Sequence, residues 1–490
     1  MPALVAGIHA GPSRKARGIA NGQSRLVLQD NRSGLAWMAG TSPAMKTFGI
    51  SRRGFTGGIA ASLVALPARA QGAADGFRIL EARRTGLKLS PAGETAGFGY
   101  DGSVPGPLLR VRQGEEVKVR LVNRLDQATS LHWQGLIGDN ANDGVAGLTQ
   151  KAVAPGESFD YRLKAAAAGT YFYKPAIQPH NVEQISRGLC GVLIVDEAEP
   201  PEVDRDLVIV LQDWKLDSKG ALTEPFGEPG AGRVGPLLTA NLAPAPLVET
   251  APPGGRVRLR IINACTARMA VAIFDGGAPR CIAIDGQACD PFQLVRNTAP
   301  MAPGARFEFI YDLPAGNGPD LTLGLWAGQD KPRLPVFALK AKGEKAKQRA
   351  VFATLPVNPR LPPEIRLGEA RKLELKLQPP KAPGGHWTFN GVPQSYAGKP
   401  LFSVKRGAPV SIGFANTSDA AISMHVHGHC MRLLHDLDDG WEPYWRNSVI
   451  VAKGATKHVA FLADAPGKWA LRSDVADQEA AGLAAWFEVT

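Results

Sequence analysis

The chain carries one pattern three times, and that repeat limits what it can fold into more than any other feature. "QGEEVKVRLVN" (113–123), "PGGRVRLRIIN" (253–263) and "KRGAPVSIGFAN" (405–416) each run from a glycine to an asparagine nine positions on: Gly114 to Asn123, Gly254 to Asn263 and Gly407 to Asn416. Apolar residues alternate between those ends, the mark of a half-buried strand. A second shared block follows each copy: "APGESFDYRL" (154–163), "APGARFEFIYDL" (302–313) and the weaker "AKGATKHVAFLAD" (452–464). In the first and third copies the chain then reaches "AGTYFYKPA" (168–176) and "PGKWALRSD" (466–474). Similarity at fixed internal spacing is the signature of one module used several times. A chain of 490 residues is too long for a single core. We therefore read three consecutive all-β sandwiches over 77–198, 203–345 and 370–490, with the Pro- and Lys-rich tract 341–369 leading into the third.

The repeats also align positions that carry chemistry. His132 lies nine residues after Asn123 and His425 nine after Asn416, while the middle copy has Ala272 there. Lys174 lies five after Gly169 and Arg472 five after Gly467; Ala176 and Asp474 come two residues later. The first and third modules thus present matching pairs, and the middle one reads as a spacer. The stretch from Ile422 to His429 alternates histidines at 425, 427 and 429. Residues two apart share a face of a strand, so the three rings can converge, and neutral imidazole suits copper or zinc.

"MHVHGH", followed by "WEPYWRNSVIV" and "DAPGKWALRSDVADQEAAGL", resembles the C-terminal domain of the multicopper oxidases. That resemblance implies three Greek-key β-sandwiches of cupredoxin type. It also implies a trinuclear copper cluster between the first and third domains, where eight histidines hold the metal and oxygen is reduced to water. Carried onto this chain, the eight positions are His132, Gln134, Lys174, Ala176, His425, His427, Arg472 and Asp474, so three of the eight are histidine. The type 1 copper of the family would fall on Ile422, Ser473, Gln478 and Leu483. Leucine at 483 is compatible with working family members. An aliphatic chain, a hydroxyl and an amide elsewhere are not, because such a site needs a thiolate. Cys430 has odd parity to His429 and is expected on the other face of the strand.

No catalytic residue can be assigned on this basis, and two readings stay open. One is an exported, copper-free relative with a structural or binding role and a periplasmic protein partner, resembling the copper-free family members that are exported by the twin-arginine route and associated with cell division. The other is an oxidoreductase that keeps one copper ion on His132, His425 and His427. Lys174 and Arg472 should project into the same cavity and oppose a dication there. They would stand in the space of the lost cations with Asp474 as their carboxylate partner.

The net charge of +11 hints at an anionic partner until its location is considered. Residues 1–70 hold nine Lys and Arg against one Asp, leaving 47 basic and 44 acidic residues in the rest, so nucleic-acid binding is not expected. Ser51-Arg52-Arg53-Gly54-Phe55, an apolar run from Ile59 to Leu66 and Ala68-Arg69-Ala70 together read as a twin-arginine signal over 45–70, cleaved before Gln71, with a periplasmic product. Residues 1–44 then form an untranslated or disordered leader, with Met45 as the start. The apolar run is too short to span a membrane. Five cysteines, Cys190, Cys265, Cys281, Cys289 and Cys430, are an odd number and no disulfide framework. Cys281 and Cys289 could pair, although packed thiols are expected. His386, His435 and His458 read as solvated, the aim of His180 is open, and "DGVAGLTQ" (143–150), "LQDW" (211–214) and "NTSDA" (416–420) read as scaffold.

Overall fold

The computed structural model describes residues 75–490 except 92, 225–229, 317, 383 and 436–439. The stretches read as leader and export signal, residues 1–70, lie outside the described residues. Strands dominate, and they assemble into six sheets that face one another in three pairs. The first pair sets Gly93–Tyr100, Arg78–Ser90, Glu116–Asn123 and Ser158–Lys164 against Leu109–Arg112, Gly191–Asp196, Gly169–Lys174 and His132–Gln134. Leu80, Leu121, Trp133, Tyr161 and Leu193 fill the space between. Separate cores lie within the second pair, around Leu259, Phe307 and Leu323, and within the third, around Ile412, Met424 and Phe487.

The repeated segment has one structural meaning in all three modules. Glu116–Asn123, Arg256–Asn263 and Ala408–Asn416 each run parallel to the first strand of their module, Arg78–Ser90, Arg205–Trp214 and Arg371–Gln378 respectively. On the other side each pairs antiparallel with the strand from the second shared block. The terminal asparagine is a clamp. The Asn123 amide donates to the carbonyls of Gln127 and Val153 at 2.8 and 2.9 Å, that of Asn263 to Arg268 and Met301 at 2.8 and 2.9 Å, and that of Asn416 to Ala420 and Val451 at 2.8 and 3.0 Å. Each side-chain oxygen accepts from the backbone N–H two residues on. A short amide side chain that fills both roles satisfies the backbone where the strand ends, which is why asparagine stands at this point each time.

The modules meet through buried charge as well as apolar packing. Phe172, Val192 and Ile194 of the first pack on Val210 and Ile262 of the second. Beside them Arg258 lies between Glu197 and Glu308, with Arg260 reaching Asp206 and Glu308. Arg306, fully buried, touches all three modules: its guanidinium donates to the carbonyls of Thr170 at 3.0 Å, Gly304 at 2.7 Å and Asp285 at 2.8 Å, and to the Asn447 side chain. The tract read as a link to the third module is no loose tether. Phe352 and Leu355 bury themselves against Ile282, Ala283 and Ile310, and Arg349 pairs with Asp204. All five cysteines are free, buried thiols, Cys281 and Cys289 included.

Candidate functional site

The register of four strands brings the singled-out residues together. His132 pairs across the sheet with Lys174, and His425 with Arg472, so the first and third modules present equivalent pairs. Ala272 takes the same place in the second module, where it is core. His132, His425 and His427 each offer a ring nitrogen within 4.8 Å of the others. His132 stacks on His427 with ring centres 4.1 Å apart, and His425 stands edge-on to His427 at 4.7 Å.

The outer nitrogen of each ring is anchored. His132 Nδ1 donates to the Asp143 carbonyl at 2.7 Å, His425 Nδ1 to the Asn447 carbonyl at 2.9 Å, and His427 Nδ1 to the Asp143 carboxylate at 2.9 Å. These partners fix the tautomer and turn all three Nε2 atoms inward. His132 Nε2 and His425 Nε2 are buried and meet no partner among the described residues. His427 Nε2 instead accepts from Arg472 Nε at 2.6 Å. Burial, then the neighbouring His132, pushes the His427 pKa down to about 3, and burial likewise holds His425 well below the usual imidazole value. Both rings are therefore neutral at physiological pH and can accept such a bond.

Besides Asp143, four charged side chains lie around this core. Arg472 Nη1 reaches Glu479 at 3.0 Å and Asp474 at 3.5 Å; Lys174 Nζ lies 3.7 Å from Asp474. Burial works against the Arg472 charge, but Glu479 and Asp474 outweigh it and raise its pKa. Lys174, with burial and then Arg472 against it, is lowered to about 8. Asp474 also accepts from the Gln134 amide at 3.1 Å and from the Ser448 hydroxyl. Glu479 further accepts from Asn181 at 2.8 Å. Ala176 is buried with Val145 and Ala470 and offers no donor atom.

Several outcomes differ from the sequence reading. His429 does not join the cluster, because the strand ends at Val426 and Gly428 turns the chain at φ +69°, in contact with Trp469 so close that a Cβ would lie 2.3 Å from its ring. The imidazole of His429 packs instead among Phe461, Trp469 and Phe487. Strand parity fails for Cys430 for the same reason; its Sγ lies 3.5 Å from the Asn447 amide. "DGVAGLTQ" is more than scaffold, since Asp143 holds two of the three rings. The legible signal was its Asp-Gly pair: Gly144 at φ +85° passes so near Leu131 that a Cβ would sit 1.8 Å from its carbonyl oxygen, and only that approach brings Asp143 to His132. Glu479, Asn447 and Ser448 were missed and had no such signal. His180 leads into the short helix Asn181–Ser186, and His458 pairs with Glu374 at 3.2 Å.

Comparison with known proteins agrees with this geometry. Multicopper oxidase family models match residues 84–200 and 369–490. A solved multicopper oxidase of Pseudomonas thermotolerans superimposes with a TM-score of 0.75 at 30% identity, covering 84% of this chain and 98% of that one. The chain belongs to the multicopper oxidase family. Another solved member, from Pseudomonas parafulva, gives a TM-score of 0.76 at 27% identity over 84% of this chain and all of that one, at 100%. The multicopper oxidase MmcO of Mycobacterium tuberculosis is 26% identical over 89% of this chain and 95% of its own. This multicopper oxidase family member also resembles the cell division protein FtsP of Edwardsiella tarda, at 31% identity over 47% of this chain and 49% of that protein.

The family implies copper, and the residues as placed do not fit it. One of three imidazole donors is engaged by a guanidinium, which stays protonated in proteins and donates only, and Lys174 adds a second cation beside the cluster. At the positions of the type 1 copper, the Ser473 hydroxyl donates to the Gln478 amide oxygen at 2.8 Å. The Gln478 Nε2 donates to the carbonyls of Gly230 and Ala421. Ile422 and Leu483 are part of the third core. None of these four supplies a thiolate or an imidazole.

Proposed function

We propose that this chain is an exported protein of multicopper oxidase fold whose copper sites have been lost, and that it serves the periplasm as a structural or binding protein. The observation that carries the reading is the buried Arg472 guanidinium, hydrogen-bonded to His427 where the family would place metal and held there by Glu479 and Asp474. The similarity to a protein named for cell division supports a protein partner rather than a small-molecule substrate. No helix among the described residues is long and apolar enough to cross a membrane. Protein purified from the exported fraction is expected to hold close to no copper, to lack the blue absorption of a thiolate–copper bond and to leave phenols unoxidised. About one or about four copper ions per chain would overturn the reading.

A second reading, one copper ion on His132, His425 and His427, is favoured by the two buried Nε2 atoms without partners. Copper analysis separates the two. Export is tested independently. With Arg52→Lys and Arg53→Lys together the protein is expected to stay in the cytoplasm, since the export receptor reads the arginine pair rather than its charge. Normal secretion of that variant would mean another route.

A further inference from the structure

Resting on the copper-free reading, we infer that Arg472 is the side chain that chiefly keeps metal out of an otherwise finished three-histidine site. The rest of such a site is in place. One ring nitrogen from each of the three histidines lies within 4.8 Å of the others. Each Nδ1 is already fixed by a carbonyl or a carboxylate, the arrangement that orients histidines in metal centres and accounts for much of their affinity. The Asp143 carboxylate that holds His427 is itself buried.

Charge points the same way. With the guanidinium present, His427 Nε2 is spent on a donor, and a dication would have to sit against a fixed positive charge in a buried place. With the guanidinium removed, Lys174 is the remaining cation in contact with this group, against the carboxylates of Asp143, Asp474 and Glu479. The surplus is two negative charges, which a divalent ion neutralises. Ions that accept three imidazoles in open geometry, zinc, cobalt and copper in their divalent forms, are the class such a site takes. Arg472 thus acts on specificity by occupation: it fills the volume, binds the third donor and balances the anions in one side chain.

The test compares wild type with Arg472→Leu, both stripped with chelator and then titrated with zinc, cobalt or copper salts. Arg472→Leu is expected to bind one ion per chain at least about 100-fold more tightly than wild type, the scale on which an opposing buried charge acts. Its melting temperature should rise with zinc, and its copper spectrum should show couplings to three nitrogens that fall to two on adding His425→Ala. Because Arg472→Leu leaves Glu479 without its partner, Arg472→Leu with Glu479→Gln is measured in parallel, and a variant that folds only with zinc counts as binding. The inference is overturned if folded variants bind no better than wild type, or if both stay unfolded with zinc. Tight binding of one ion by wild type through His425 would overturn the copper-free reading as well; wild type and variants that all refuse metal overturn only the role of Arg472.

Discussion

Asp474→Ala is expected to lower stability by about 3–5 kcal/mol, the range for removing one partner from a buried ion pair. The carboxylate is fully buried and faces Lys174 at 3.7 Å and Arg472 at 3.5 Å while accepting from Gln134 at 3.1 Å. Without it, two cations confront each other with one carboxylate fewer between them. Either cation, Arg472 or Lys174, offers a compensating change. The structure picks Lys174→Met, because Glu479 still holds Arg472 at 3.0 Å and would itself be stranded by loss of the guanidinium. Asp474→Ala with Lys174→Met should therefore recover part of the loss, whereas Asp474→Ala with Arg472→Leu should not. Urea unfolding of the three variants decides the point, and a wild-type midpoint for Asp474→Ala would mean that these charges are solvated.

Arg306→Ala is expected to cost about as much, roughly 4 kcal/mol, by another mechanism. The side chain donates to Thr170, Gly304, Asp285 and Asn447, groups from all three modules. Its loss strands several buried acceptors, each worth roughly 1–3 kcal/mol when left without a donor. Asn447, moreover, orients His425 through its carbonyl. Arg306→Lys should restore little, since a single ammonium cannot reproduce the fork of a guanidinium. The comparison is read as melting temperatures of wild type, Arg306→Ala and Arg306→Lys; equal values for wild type and Arg306→Lys would show that charge, not the forked contacts, is what matters there.

The fold was legible because its repeats record local necessity. Asn123, Asn263 and Asn416 end their strands with the same bonds, so the spacing from glycine to asparagine is set within the module and survives divergence elsewhere. The pairing of His132 with Lys174 and of His425 with Arg472 was legible for the same reason, since counting from a clamp gives the register. What escaped depends on approach between distant segments. Glu479 lies on a five-residue helix, Ala476–Ala480, whose aim is fixed by the modules around it. His429 escaped because one glycine ended the strand that parity assumed. Phe352 and Leu355 looked like linker residues, and only the second module's surface made them core.

Gln134 and Asp474 stand 340 residues apart, and Asp143 and His427 stand 284 apart, so the chain closes into a ring whose fastener is made of its two end modules. The entropic cost of closing so long a loop grows only with the logarithm of its length, about 2 kcal/mol more than for a loop one tenth as long. Each module has a core of its own, and the fastener joins the first module to the third. Its buried ions give little net stability once closed, because desolvation opposes their attraction. The seam where the resembled family holds its metal thus also fastens one end of the chain to the other.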